Sequence, residues 1–195
     1  MLVLASASPR RRELLTQAGF QFTVMPASID EDLRRGENAV AYVTRLAREK
    51  AAAVFGQIDS PESAVVLGAD TTVVAPNGEI LGKPSDAADA ARMLRLVSGA
   101  THQVITGVAV ASASGVETAA EVTHVTVLTL SDEEIAAYIA TGEPMDKAGA
   151  YAIQGYAARW IPRIHGCYFN VVGLPLALVS GILEGLTVQA DALRA

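Results

Sequence analysis

Leu2-Val3-Leu4-Ala5-Ser6-Ala7-Ser8-Pro9-Arg10-Arg11-Arg12-Glu13-Leu14-Leu15 joins an apolar run to a helix start through a passage holding two serines. Leu2 to Ala5 has the character of a short strand. Ser8 is a good N-cap, and Pro9 falls at the first helical position, where its missing N–H costs nothing. The helix is expected from Pro9 to about Ala18, with Gly19 as its stop. Its first turn leaves N–H groups without intrahelical partners, so the junction carries partial positive charge. Arg10, Arg11 and Arg12 add to that charge and oppose the helix dipole, by about 0.3–1 kcal/mol each when exposed. A bound polyphosphate reverses the sign of this penalty, because guanidinium forks grip phosphate oxygens bidentately beside the helix N-terminus. Without such an anion the same residues are only a solvated basic face.

Working outward, Phe22 to Met25 reads as a second strand and leads into Ser28-Ile29-Asp30-Glu31-Asp32, a loop dense in carboxylates. Glu37 or Asn38 then starts a helix running to about Phe55. Val40, Val43, Leu46, Ala47 and Lys50 share one side of it, which puts Lys50 near the apolar face. Ala64 to Ala75 is a nearly continuous apolar run of the kind that suits a strand buried on both faces. Asp70 interrupts it and needs a metal or cation beside it, at a strand end or cleft, because an unpaired buried carboxylate costs several kcal/mol. Pro76-Asn77-Gly78 is a turn, and the strand returning over Glu79 to Leu81 delivers Lys83 toward the Asp70 end.

Asp86 to Leu96 reads as an amphipathic helix. Gln103 to Ala113 and Val116 to Leu128 read as a long antiparallel hairpin. Ser131-Asp132-Glu133-Glu134 is a capping box opening a helix that Gly142 closes. Gly142 to Gly155, rich in glycine and polar groups, has the composition of a binding loop. Trp160 to Ile164 and Phe169 to Val172 look like strands, and Leu174 or Pro175 to Leu186 like a helix. The alternation implies an α/β fold with a mixed, twisted sheet flanked by helices and a cleft at strand ends. One domain over residues 1–195 is expected, with room for two lobes around that cleft.

Composition narrows the function. The net charge of −6 argues against nucleic-acid binding through a basic surface, so local arginines point to a small anionic ligand. Cys167 is the only cysteine, which excludes an internal disulfide and a cysteine-based zinc cluster. Cys167 to Leu183 lacks charge but is broken by Asn170, Gly173, Pro175 and Gly181, so it reads as buried strand, turn and helix; no membrane association is expected. The start has no export pattern, which makes a cytoplasmic protein the expectation. No P-loop or Gly-x-Gly-x-x-Gly pattern occurs. The cations suit phosphates and the carboxylates suit a divalent metal, the two parts that phosphoanhydride hydrolysis needs.

The chain resembles the Maf proteins, nucleoside triphosphate pyrophosphatases that share their broad fold with the inosine triphosphate pyrophosphatases. The likeness rests on Ala5-Ser6-Ala7-Ser8-Pro9-Arg10-Arg11, Arg45-Leu46-Ala47-Arg48-Glu49-Lys50-Ala51 and Leu67-Gly68-Ala69-Asp70-Thr71. It continues through Leu81-Gly82-Lys83-Pro84, Thr101-His102-Gln103-Val104, Lys147 to Gly155 and Val171 to Leu176. The resemblance implies that Ser6, Arg10, Arg11, Lys50 and Lys83 hold a triphosphate. It makes Glu31 and Asp70 the residues serving Mg²⁺ or Mn²⁺ and water, with Asp70 the general base. Arg10, Thr71 and Gln154 match positions of base selection, and the Lys147 to Gly155 pattern looks like the branch acting on dTTP and UTP. A Gln amide, with both donor and acceptor, suits the O4/N3 edge of thymine or uracil. A homodimer is the family's expectation and the commonest symmetric state. The same loop chemistry leaves a nucleotidyltransferase as an alternative, and the family's name suggests another, a non-catalytic nucleotide-binding regulator of cell division or septum formation. Cys167 stands where relatives often have Ser.

Overall fold

The computed structural model describes residues 1–192. In chain order the elements are β1 (Leu2–Leu4), α1 (Pro9–Gln17), β2 (Phe22–Val24), α2 (Ala39–Phe55), β3 (Val65–Val74), β4 (Ile80–Leu81) and α3 (Ala87–Val97). They continue with β5 (Thr101–Ser112), β6 (Gly115–Thr126), α4 (Asp132–Ala140), β7 (Arg163–His165), α5 (Tyr168–Val172) and α6 (Leu176–Ala192). The sheet order is β2-β1-β3-β5-β6-β7, with β4 also paired to β3. β1 runs parallel to both β2 and β3, whereas β4 and β7 are antiparallel to their neighbours. The sheet is therefore mixed, as expected for this α/β class.

Two compact units divide the chain: Met1–Asp70 with Thr106–Glu121 and the residues from Gly173 onward, and Thr71–Ile105 with Val122–Val172. In the first unit, Val3 and Ala5 of the opening stretch pack with Ala47, Ala51 and Val54 of α2 and Val66 of β3. The Ser8 hydroxyl accepts the Arg11 N–H, so the expected N-cap of α1 is in place. Asn38 caps α2 in the same way through the N–H of Ala41. Val43, Leu46, Ala47, Lys50, Ala51 and Val54 form the buried stripe of α2. Val40, expected on that stripe, is instead exposed because it lies in the first turn, before the helix meets the sheet.

Two glycines set how closely α2 approaches the sheet. A Cβ at Gly68 of β3 would stand 2.2 Å from the Ala47 carbonyl oxygen and 2.8 Å from the Ala51 amide nitrogen. One at Gly107 of β5 would stand 2.4 Å from the Val43 carbonyl oxygen. The obstruction is backbone in each case, so helix and strand would have to separate. Gly68→Ala should destabilise the protein by about 3 kcal/mol, the upper end for overpacking, and should lower the urea midpoint measurably. An unchanged midpoint would mean that α2 gives way easily.

The second unit gathers its core around Met93, Leu94, Val104, Ile135, Tyr138 and Trp160. Here two expected strands are corrected. Phe169–Val172 lies in the short helix α5, and of Trp160–Ile164 only the end joins β7, Trp160 closing a 3₁₀ turn over Tyr156–Trp160. The buried Asn170 amide donates to the Val104 carbonyl at 3.0 Å and to Thr123 Oγ1 at 2.9 Å. These long-range bonds favour a helical turn over the β-propensity of Val171-Val172. The Cys167–Leu183 stretch is thus helix, turn and helix. Among the described residues, no helix is long and apolar enough to cross a membrane. The glycine-rich segment is only partly a loop: it forms 3₁₀ turns over Glu143–Asp146 and Ala148–Ala150, and Ala150, Tyr151 and Ile153 enter the core.

His102 belongs to that core. It is 2% exposed, and its Nε2 lies 2.8 Å from the Tyr151 hydroxyl. Its Nδ1 is buried without a hydrogen-bond partner among the described residues. Burial lowers its pKa to about 4, so the folded protein refuses a proton that the unfolded chain, near 6.5, accepts. Stability should fall as pH drops from about 6.5 to about 4, by up to about 3 kcal/mol. Urea midpoints measured across that window should flatten in His102→Gln; an identical slope in the variant would place the effect elsewhere.

Candidate active site

β1 ends at Leu4, opposite Leu67 of β3. Beyond this point β1 no longer pairs with β3, the Ala5 N–H making a last bond to the Leu67 carbonyl at 2.8 Å, and β4 joins β3 only further on, at Val73 and Val74. Asp70 lies three residues further along. It sits within β3 rather than at the strand's end, one of the two places expected for it, but past the last β1 residue paired with that strand, and the cation expected beside it is Lys50. Strand alternation puts Asp70 on the face of Gly68, where the backbone of α2 touches the sheet. Lys50 precedes Ala51, one of the α2 residues at that contact, and its side chain extends to the carboxylate.

Lys50 Nζ donates to Asp70 Oδ1 at 2.7 Å and pairs with Glu31 Oε1 at 2.7 Å. Lys50 is 8% and Asp70 9% exposed, whereas Glu31 reaches in from the surface. One ammonium thus draws together two carboxylates that lie 39 positions apart in the chain. Tyr42 stands beside this group. Burial, reinforced by the charges of Asp70 and Glu31, pushes its phenol pKa up.

The opening stretch supplies the cationic side. Ser6 is 8% exposed, and its Oγ accepts from the Ser8 N–H at 3.2 Å and from Arg11 Nη1 at 3.2 Å. Arg11 Nε donates to the Gly173 carbonyl at 2.9 Å, which ties α1 to the turn before α6. Burial pulls the Arg11 pKa below its ordinary value; Asp70 and Glu31 oppose this shift and Arg10 adds to it. Ser6, Arg11, Lys50, Glu31 and Asp70 therefore form one electrostatic group within the first unit. Arg10 is half-buried, and Arg12 is exposed.

The other expected residues belong to the second unit. Thr71 follows Asp70 in β3 and is half-buried. Lys83 is exposed, two residues after β4. The adjacent Gly82 carbonyl accepts the Gly149 N–H at 3.0 Å, joining the Lys83 turn to the Lys147 segment. Lys147 pairs with Asp146 and donates to the Glu143 carbonyl at 3.4 Å. Gln154 is exposed on a pocket of about 450 Å³, together with Ile161, Arg163 and Tyr168.

The main chain around Gln154 is pinned on both sides by groups that the sequence did not mark. The Ala152 N–H donates to the Tyr138 hydroxyl at 3.2 Å, and the Tyr156 N–H donates to both Glu143 carboxylate oxygens at 3.1 and 3.2 Å. Tyr138 Oη in turn donates to Glu143 Oε1 at 2.7 Å. Gly155 makes this possible, since a Cβ there would lie 2.3 Å from Glu143 Oε1. In the first unit the sequence likewise gave no place in the site to Tyr42, Glu37 or Arg45, although Arg45 opens one of the motifs quoted above.

The solved structure of the Ham1 protein of Staphylococcus aureus covers 94% of this chain and 98% of its own, with TM-score 0.52 and 13% identity. The protein is therefore of the Ham1-like α/β class, with its group of charged residues where β3 outruns β1. A sequence model described as Maf-like protein matches residues 1–186, and the chain belongs to the Maf family. It is similar to the dTTP/UTP pyrophosphatase of Koribacter versatilis, 54% identical over 91% of this chain and 90% of that one. It is also similar to the dTTP/UTP pyrophosphatase of Salmonella typhimurium, 55% identical over 97% and 95%, respectively.

Proposed function

We propose that this protein is a nucleoside triphosphate pyrophosphatase that hydrolyses the α–β phosphoanhydride of dTTP and UTP, giving the monophosphate and pyrophosphate. The observation that carries this is the convergence of Glu31 and Asp70 on Lys50, each at 2.7 Å, beside Ser6 and Arg11. The names of relatives about half identical over almost the whole chain support the substrate.

The carboxylates fit a divalent cation. Two oxygens already meet at a point of positive charge, and Mg²⁺ or Mn²⁺ with a substrate phosphate commonly uses one or two carboxylates and several waters. Glu31 and Asp70 are the residues that would hold it. Such an ion would neutralise charge developing on the phosphates and lower the pKa of a water it holds. Asp70 acts as the general base, taking a proton from the attacking water. Lys50 has three N–H donors and uses two on the carboxylates, leaving one for a phosphate oxygen. Ser6, Arg10 and Arg11 hold the triphosphate at the start of α1, and Lys83 serves it as well. Thr71, Gln154 and Arg10 select the base, with Lys147 in the same substrate-binding set. A cytoplasmic location and a homodimeric state are part of this reading.

The test is a panel of single nucleotides, each incubated with the purified protein and Mg²⁺ or Mn²⁺. Pyrophosphate should appear fastest from dTTP and UTP. Release of inorganic phosphate alone from every nucleotide would reject the assignment, and a requirement for a second acceptor in place of water would make the protein a nucleotidyltransferase.

A further inference from the structure

Glu31 lies between β2 and α2 in a stretch with no helix or strand, so its position has to be imposed from outside. Bonds within the stretch are local: the Asp32 N–H donates to Asp30 Oδ1 at 2.9 Å, and the Glu37 N–H donates to the Arg34 carbonyl at 3.1 Å. The outside grip comes from α2. Tyr42 Oη donates to the Glu31 carbonyl at 2.8 Å, and Arg45 Nη2 donates to the Asp32 carbonyl at 2.9 Å. Two consecutive carbonyls are thus held by side chains three residues apart on one helix, which face the same way.

Arg45 is itself held firmly. Its Nε and Nη2 form a fork on Glu37 at 2.5 and 2.9 Å, and Nη1 reaches Glu49 Oε2 at 3.1 Å. Its guanidinium carbon stands 5.7 Å from the centre of the Tyr42 ring. Glu37 also accepts the Arg34 N–H at 2.9 Å, and Arg34 Nη2 pairs with Glu49 Oε1 at 2.9 Å, which closes the network around the far end of the loop. The Arg45 side chain is only 13% exposed, and its bonds to Glu37 and Glu49 are part-buried. The same helix carries Lys50. One rigid element therefore sets both the ammonium and the main chain from which Glu31 reaches it.

We propose that Tyr42 and Arg45 are positioning residues for Glu31, holding its carboxylate opposite Asp70 before any ligand arrives. This rests on the reading of Glu31 as a metal-holding carboxylate. Groups behind a ligating carboxylate lower the cost of ordering it, and their loss typically weakens metal affinity about 10–100-fold. A network that only stabilised the surface would change melting temperature and leave metal affinity alone.

The test uses Tyr42→Phe and Arg45→Met, each alone and combined with Glu31→Gln. The dissociation constant for Mn²⁺ is measured on the nucleotide-free protein, alongside kcat, KM and melting temperature. Mn²⁺ affinity should weaken about tenfold in Arg45→Met and less in Tyr42→Phe, with kcat at saturating metal nearly unchanged. Neither change should weaken binding further once Glu31 is Gln, because groups acting through one residue are not additive. Unaltered Mn²⁺ affinity in Arg45→Met and Tyr42→Phe, with weakened affinity in Glu31→Gln, would overturn the positioning role alone. Additive losses in the Glu31→Gln background would also overturn it. Unaltered Mn²⁺ affinity in Glu31→Gln would overturn the role of Glu31 and this proposal with it.

Discussion

Asp70→Asn should lower kcat for dTTP and UTP hydrolysis by about 10²–10⁴, the range for losing a general base, while the protein stays folded. The amide keeps the size of the carboxylate and can still accept a bond from Lys50, so packing between β3 and α2 changes little. Lys50 keeps its pair with Glu31 at 2.7 Å, so no buried ammonium is stranded. What disappears is the proton acceptor and one of two charges facing a divalent cation. The variant should also bind metal more weakly, and Arg11 loses the favourable charge of Asp70 that opposes its burial. Steady-state rates at saturating metal, with circular dichroism as the control for folding, separate the two losses. A near-normal kcat would remove Asp70 from the chemistry.

Lys50→Met should be the most damaging single change to stability within the group. It leaves the Asp70 carboxylate, 9% exposed, without its ammonium, while the Glu31 side chain, 56% exposed, can turn toward water. Stripping one partner from a buried pair costs about 3–5 kcal/mol, and the lower end applies because Glu31 escapes. For a chain of this size about 3 kcal/mol corresponds to a drop in melting temperature of about 6–12 °C. Mg²⁺ or Mn²⁺ should restore part of the drop, since a ligand that binds only the folded state stabilises it. The metal should raise the melting temperature of Lys50→Met more than that of the parent protein. Equal stability of the two proteins without metal would mean that the Lys50 pairs carry no stabilising weight.

Helix starts were legible in the sequence because their signals are local. Ser8, Asn38, Asp86 and Ser131 each cap a helix through a side-chain bond to an N–H three residues on; Ser8 and Ser131 were marked as caps by side chain and spacing, and Asn38 and Asp86 stood at or beside the expected starts. The place of Lys50 on the buried face of α2 followed from periodicity in the same way. Its pairing with both Glu31 and Asp70 could not be read, because it depends on how closely α2 approaches β3, and that is set at Gly68 and Gly107. Phe169–Val172 misled for a related reason. Its β-branched residues advertise a strand, while the deciding bonds run from Asn170 to Val104 and Thr123, far away in sequence.

The glycine-rich segment around Lys147 was only half legible. Its polar composition reads as a binding loop and Gln154 is exposed, but Tyr151 and Ile153 beside it are buried, and nothing local shows that Tyr138 and Glu143 pin the main chain there. Tyr42 and Arg45 illustrate the same limit. Both bind backbone carbonyls of a loop more than ten residues upstream, and a carbonyl acceptor leaves no mark in the residue type that carries it. Arg45 was visible as part of a motif, yet its role became clear only once Glu37, Glu49 and Asp32 were seen around it.

The most direct test of the central claim is hydrolysis of dTTP in ¹⁸O-labelled water with Mg²⁺ or Mn²⁺, followed by mass analysis of both products. Attack of water at the α-phosphorus puts the label in dTMP and leaves pyrophosphate unlabelled, which is the expected result. Label in pyrophosphate, or formation of dTDP and inorganic phosphate, would place attack at another phosphorus and contradict the account.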